Sequence, residues 1–394
     1  MEQAWIAMVV GLLVLLASMA SVELGISVAL IEISLGVAAG NFLGLSGTPW
    51  MDFLAGLAGI VLTFLAGAEV DPDLLRERLK ESVLIGGLSF LLPFAGAAAV
   101  CYYALGWSAN AALIAGTALS TTSLAVVYAV LVETGLTETT IGKMIMASTF
   151  VTDFGTALAL SLLFLRPTWW LFPFILGSAV IIWAMPRLHP WFFPRYGNRV
   201  IEPEIKGALA ALLVLMFFAH LAESHAVLPA FILGLAVARI FNANRETQRR
   251  FRVVAFALLT PFFFLKSGMS VSLGEVWTNL GLLVLLLAVK QTTKFLGVYP
   301  VARRYVPAEA MYTTLLMSTG LTFGTIASLF GLQAGYITSA QFSVLVTVVV
   351  LSAIIPTFIA QRWFEPPRPP VHENSAVSPE PEPAPAGVAE LGGR

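Results

Sequence analysis

Charge is the scarcest ingredient of this chain. Charged residues make up 11% of its 394 residues, where a soluble domain carries about 25%. A surface that poor in charge is hard to keep in water, which argues against a soluble globular protein. Cysteine is almost absent as well. Cys101 is the single one and lies in an apolar run, so no intrachain disulfide can form. Histidine is sparse, and the pair His220 and His225 beside Glu223 has no cysteine nearby, so a metal site of the zinc type is not expected. No nucleophile–base pair points to an enzyme, and no cofactor is expected. The net charge of −1 gives no general attraction to nucleic acid. No basic region precedes the apolar run Trp5–Ala20, which therefore reads as a first membrane helix and not as a cleaved signal.

What the chain has instead is hydrophobic residues, 58% of the total. A membrane-spanning helix needs about 20 apolar residues, fewer where it is partly buried in protein. By that rule the sequence predicts an all-α integral membrane protein with about 13 transmembrane helices. The predicted segments are Trp5–Ala20, Leu24–Leu43, Phe53–Ala68, Val83–Leu105, Ala109–Val132, Thr140–Leu165, Trp169–Met185, Ile205–Leu221, Val227–Phe241, Val253–Val271, Trp277–Val298, Ala310–Leu332 and Phe342–Ile359. Lys and Arg concentrate after the odd-numbered segments: Arg76, Arg78 and Lys80, then Lys143, then Arg187, Arg195, Arg199 and Lys206, then Arg245, Arg249, Arg250 and Arg252, then Arg303 and Arg304. Positive charge marks the cytoplasmic side, which predicts the N-terminus outside and the C-terminus inside. After residue 361 the composition turns to alternating Pro, Glu and Ala, and residues 362–394 are expected to be a disordered tail, leaving 1–361 as the membrane domain.

An ionisable side chain at the bilayer centre costs about 3 kcal/mol or more. Those inside the segments are Glu32, Glu69, Asp153, Lys266, Lys290 and Lys294. Asp153 stands alone near the middle of Thr140–Leu165, among Ser148, Thr149, Thr152 and Thr156. Hydroxyl oxygens can help to coordinate a small cation that has shed water, and proton and cation can compete for a lone carboxylate of this kind. The alternative is a structural carboxylate held by those hydroxyls. Lys294 lies about two turns inside Arg303, which places it within the membrane as a partner of Asp153 or a structural bridge. Lys290, one turn away, can fill the same role, or both can snorkel. Glu32 is equally well explained by a bond to a neighbouring helix. Glu69, at a helix end, reads as a solvated or bridging charge, and Lys266 as snorkelling or pore-lining.

Two segments carry hydroxyls and glycines where a helix is weakest. Gly116-Thr117-Ala118-Leu119-Ser120-Thr121-Thr122-Ser123 is one, and Ser318-Thr319-Gly320-Leu321-Thr322-Phe323-Gly324-Thr325 the other. Such runs offer substitute hydrogen bonds where a membrane helix is interrupted, although small-residue helix packing uses the same residues. One interrupted helix in each half is the mark of a transporter site between inverted repeats. A passive channel, the reading from another class, would more often show a repeated filter or a charged ring.

Gly116–Ser123 with Ala125-Val126-Val127, Glu133-Thr134-Gly135-Leu136 and Thr152-Asp153 resembles the bacterial monovalent cation:proton antiporters of the Kef and Nap type. Phe64–Asp71, Pro261-Phe262-Phe263-Phe264 with Gly268-Met269, and Lys294-Phe295-Leu296-Gly297 are similar to that family too. The resemblance covers most of Ala29–Pro366. It implies two inverted repeats with crossed broken helices, a dimerisation domain and a mobile core domain, elevator-type motion, and a homodimer in the bacterial cytoplasmic membrane. It implies that Asp153 binds the transported cation and the proton, that Ser120 and Thr122 are hydroxyls of the first broken helix beside Thr121, that Ser318, Thr319 and Gly320 form the second break, and that Lys294 is the core lysine. Thr152 occupies the place of a second acid in charge-moving members, so its neutrality implies electroneutral exchange. Leu321 stands where many relatives carry glutamate, and Lys266 where they carry a neutral residue. The tail is too short for a Kef-type regulatory domain, so ligand gating is not expected. The expected function is antiport of Na⁺ (with Li⁺ or K⁺ as other candidates) for H⁺, with K⁺/H⁺ exchange as the runner-up and a passive cation channel as the alternative class.

Overall fold

A computed structural model of the chain describes residues 2–24, 27–70, 78–137, 139–164, 168–197 and 199–367. All regular structure in these residues is helical. Eleven helical stretches among them are long and apolar enough to cross a membrane, and two more apolar helices, Val28–Phe42 and Val227–Ala243, are shorter. Each of the predicted segments overlaps one of these. Arg76 and residues 368–394 of the expected tail lie outside the described residues.

In chain order the helices are α1 (Glu2–Leu24), α2 (Val28–Phe42), α3 (Pro49–Ala68), α4 (Leu79–Ala99), α5 (Ala109–Ser120), α6 (Leu124–Glu133), α7 (Thr140–Leu163), α8 (Leu171–Tyr196) and α9 (Pro203–Leu221). The second half continues with α10 (Val227–Ala243), α11 (Arg245–Val254), α12 (Thr260–Met269), α13 (Leu273–Thr278), α14 (Leu280–Tyr305), α15 (Ala310–Met317), α16 (Thr322–Gln333) and α17 (Ser339–Trp363). Local chemistry sets several starts. Ser108 accepts a hydrogen bond from Ala111 N ahead of α5, and Thr139 from Gly142 N ahead of α7. Thr338 and Gln341 bond reciprocally ahead of α17. Each such cap contributes about 1 kcal/mol. α4 is extended by a π-helical turn, Val100–Ala104, and another, Ala255–Leu259, joins α11 to α12 into one membrane-length rod.

Several boundaries differ from the sequence reading, two of them most. α8 runs to Tyr196, well past Met185, because Pro186, Pro190 and Pro194 are accommodated within it, as exposed membrane helices permit. Arg249, Arg250 and Arg252 lie on α11 and not in a loop. That helix is capped by Asn244, whose side chain accepts from Thr247 N.

Four glycines expose the internal symmetry. A Cβ on Gly36 of α2 would collide with the carbonyl oxygen of Leu265 in α12, and one on Gly268 with that of Ile33. Across α3 and α10, Gly67 meets the carbonyl oxygen of Phe231 and Gly234 that of Phe64. In both pairs the obstructing carbonyl lies three residues before the facing glycine. The same contact is therefore made twice, with α2 matching α10 and α3 matching α12. This is the small-residue close approach that drives helix association in lipid, where the hydrophobic effect between helices is absent. It joins α2, α3, α10 and α12 into one unit. A second unit forms around α4, which packs on α5, α7 and α14.

Candidate functional site

Both hydroxyl-rich segments are interrupted where the sequence suggested. α5 stops at Ser120, Thr121 is extended (φ −66°, ψ 153°), and α6 starts at Leu124. α15 stops at Met317 and α16 starts at Thr322. The two breaks touch at Gly320, whose missing Cβ would lie 3.0 Å from Thr121 Oγ1 and against the Nζ of Lys290. A second close approach locks the crossing: a Cβ on Gly324 would lie 2.9 Å from the Ala118 carbonyl oxygen.

Freed carbonyl groups at the breaks find side-chain donors, as interrupted helices in a membrane require. Thr122 Oγ1 donates to Met317 O at 2.9 Å, Ser120 to Thr117 O at 2.9 Å and Thr121 Oγ1 to Ala118 O at 3.1 Å. Ser318 donates to Thr314 O and Thr319 to Leu316 O. The fully buried Lys294 donates to Ser89 Oγ at 2.8 Å and to Thr122 Oγ1 at 2.9 Å. Lys290, also fully buried, donates to Thr121 O at 3.4 Å. Both ammonium groups thus sit near the C-terminal, carbonyl-bearing ends of α5 and α15, where the partial charge of the helix is negative.

Asp153 lies on the other side of the crossing. It projects from α7, is 2% exposed, and its Oδ1 has no hydrogen-bond partner. Among the described residues no ion pair joins it to Lys294; the lysine acts on it only through space. Lys294 thus bridges Ser89 and Thr122 and meets Asp153 only through space. Thr152, next in sequence, turns away and donates to Gly86 O and Ser148 O. Ser120 likewise bonds within its own helix.

A cavity of about 330 Å³ reaches Asp153 and is lined also by Thr122, Tyr128, Thr322, Glu69 and Arg252. The first residues of α6 and α16, Leu124 and Thr322, border it. Two helix N-termini, the positive ends, therefore flank the carboxylate. Glu69 and Arg252 form an ion pair at 2.6 Å. Both belong to the face that carries the basic residues, since Asn242 at the end of α10 donates to Val70 O there. At the opposite face Lys266 pairs with Asp52 at the start of α3, a bridge the sequence reading left open between snorkelling and pore lining. His225, in the loop before α10, meets Phe330 edge-on at 4.0 Å between ring centroids, and burial pushes its pKa down to about 4. It stays neutral across the physiological range.

Glu32 is buried on α2, away from this cavity, with Oε2 unpartnered. Ser89, Tyr128 and Arg252 were not singled out as site residues by the sequence. A serine in an apolar helix usually bonds its own backbone, so nothing local marked Ser89 as the seat of a lysine.

Interrupted helices crossing beside a lone buried carboxylate, within a pseudo-symmetric helical membrane protein, define a secondary ion transporter of the inverted-repeat class. Residues 9–365 match the family described as sodium/hydrogen exchanger, transmembrane, and the chain belongs to that family. It is similar to the probable Na⁺/H⁺ antiporter 3 of Methanocaldococcus jannaschii, with 25% identity over 80% of this chain and 84% of that one. It is also similar to the Na⁺/H⁺ antiporter NhaS4 of Synechocystis, with 27% identity over 78% and 80% of the two chains. The structure of the sodium proton antiporter MjNhaP1 from Methanocaldococcus jannaschii superposes with a TM-score of 0.68 at 17% identity, covering 91% of this chain and 98% of that one.

Proposed function

We propose that the protein exchanges Na⁺ for H⁺ across the bacterial cytoplasmic membrane by alternating access, with Asp153 holding either the cation or the proton. The observation that carries this reading is the unpartnered Asp153 oxygen at the end of the cavity, beside the crossed breaks. A dehydrated sodium ion needs oxygen ligands, and the Asp153 carboxylate, with the Thr322 oxygen of the same wall, supplies them. Thr152 and Ser120 hold the helices and not the ion. Membership of the exchanger family and the names of the two relatives favour sodium as the cation. The basic face is the cytoplasmic one, so the N-terminus lies outside, the C-terminus inside, and the cavity opens to the cytoplasm. The unit of α2, α3, α10 and α12 is the fixed frame, and the unit around α4 carries the site across the bilayer. In proteoliposomes with an imposed pH gradient, Na⁺ added to the medium is expected to dissipate that gradient. Dissipation by K⁺ alone would reassign the cation, and no response to Na⁺, Li⁺ or K⁺ would overturn the reading.

The moving unit needs an anchored frame, and we infer that a homodimer supplies it. The segment Val227–Phe241 is packed inside the protomer, with Phe231, Leu233 and Val237 buried. The least buried of the described spans are α1, which exposes Trp5, Leu12 and Met19, and α8, which exposes Phe172, Trp183 and Trp191. Cysteines introduced at Leu12 or Trp183 are expected to cross-link protomers in native membranes. Single-step photobleaching throughout would show a monomer instead.

A further inference from the structure

Three groups along the cavity carry formal charge: Asp153 at its buried end, and Glu69 and Arg252 together at the basic face. The Arg252 Nε–Glu69 Oε1 contact, at 2.6 Å, is a short charge-assisted hydrogen bond. The guanidinium also stands 5.8 Å from the centroid of the Tyr128 ring, so it is held from two sides. The two partners come from different helices, the C-terminal end of α3 and the last turn of α11.

This bond is not what holds those helices together. α3 is fixed to α10 by the interlocked Gly67 and Gly234, and to α12 at the opposite face by the Asp52–Lys266 pair. The pair at the cavity mouth is only partly buried, and ion pairs that keep contact with solvent add little to stability. Its position gives it a different consequence. A cation on its way to Asp153 passes a carboxylate whose charge is already taken by a tethered cation of the protein.

We propose that Glu69 is a way station for the entering cation and Arg252 its built-in competitor, so that the pair sets the concentration at which cytoplasmic sodium reaches Asp153. The proposal rests on the reading of the protein as a sodium–proton exchanger whose cavity faces the cytoplasm. An arriving ion displaces the guanidinium from Glu69, shedding part of its water onto the carboxylate, and the guanidinium returns to Glu69 once the ion has moved to Asp153. The pair as a whole is neutral, so the mouth neither gathers cations indiscriminately nor repels them. Removing Arg252 leaves an acidic mouth, which concentrates cations; removing Glu69 leaves a basic one, which excludes them.

The competitor role and a purely structural role predict different signs. If the pair is only a bridge between helices, breaking it from either side has the same effect. If it is a competitor, the two substitutions move the half-saturating sodium concentration in opposite directions. The test is sodium-dependent proton flux in proteoliposomes, with sodium supplied at the cytoplasmic face of uniformly oriented protein and then at the other. Arg252→Gln is expected to lower the cytoplasmic half-saturating sodium about threefold or more and Glu69→Gln to raise it by a similar factor, the size of a partly screened charge pair. Values from the opposite face stay as in the wild type. Glu69→Asp keeps the charge but withdraws it from Arg252, so it is expected to follow Arg252→Gln downward; it also serves where a glutamine variant fails to fold. Shifts of the same sign in all three variants, or no shift in any, overturn the proposal. A wild-type protein with no sodium-dependent flux would defeat the transport reading itself, which separates the two failures.

Discussion

Asp153→Asn is expected to abolish sodium-driven proton exchange, bringing flux to the background of protein-free vesicles, a loss of about two orders of magnitude or more. An amide keeps the shape of the side chain but cannot take up or release a proton, and it offers a cation no net charge. The fold is expected to survive. The wild-type carboxylate is 2% exposed and its Oδ1 lacks a partner, so the protein already bears the desolvation of that group. Exchanging it for a neutral amide removes this burden and gives up only the through-space attraction of Lys294. The purified variant should therefore elute as wild type and unfold at an equal or higher temperature. Retained exchange near the wild-type rate would show that the transported ion sits elsewhere.

The second large expectation concerns charge. One carboxylate lies at the end of the cavity, and its neighbour in sequence, Thr152, spends its hydroxyl on Gly86 O and Ser148 O. The lysine that could carry a second proton is engaged: Lys294 donates to Ser89 and Thr122, and Thr122 in turn donates to Met317 O. With both hydroxyls accepting from it, this lysine is held by hydrogen bonds on the far side of the crossing, and the exchanged proton is assigned to Asp153 alone. One sodium ion then exchanges for one proton. On a solid-supported membrane, a sodium jump is expected to give no sustained current while proton flux is robust, and a valinomycin potassium clamp should leave that flux unchanged. Sustained current enhanced by the clamp would mean that a second group titrates. Lys294→Gln is expected to lower thermal stability, because Ser89 and Thr122 lose a donor, and to leave the current trace silent.

The sequence made the membrane helices, the two breaks and Asp153 legible, because each is a local signal: an apolar run, a cluster of hydroxyls and glycine, a charge with no charge near it. The partners of those groups were not legible. Lys294 and Thr122 are 172 residues apart, and Arg252 and Glu69 are 183 apart. Periodicity along one helix does not say which other helix crosses it. Lys294 read as a partner of Asp153 or a structural bridge because it is charged and lies deep in a span; its hydroxyl partners, Ser89 and Thr122, come from helices that periodicity along α14 does not name. Glu69 read as a solvated or bridging helix-end charge, and a bridge is what it forms, but that its partner is Arg252 and that it faces the cavity depend on α6 and α11 folding over it. The helix ends misplaced at Met185 and Val253 failed for a simpler reason. Prolines and arginines are poor local markers of helix, yet α8 tolerates the former within the helix and α11 carries the latter along its length.

The most direct test of the account follows radiolabelled sodium into proteoliposomes whose interior is more acidic than the medium. Exchange at Asp153 predicts that labelled sodium accumulates inside above its external concentration for as long as the proton gradient lasts, and that collapsing the gradient with a protonophore plus valinomycin releases it. Uptake that merely equilibrates, at a rate indifferent to the pH difference, would contradict the account and identify a passive pathway.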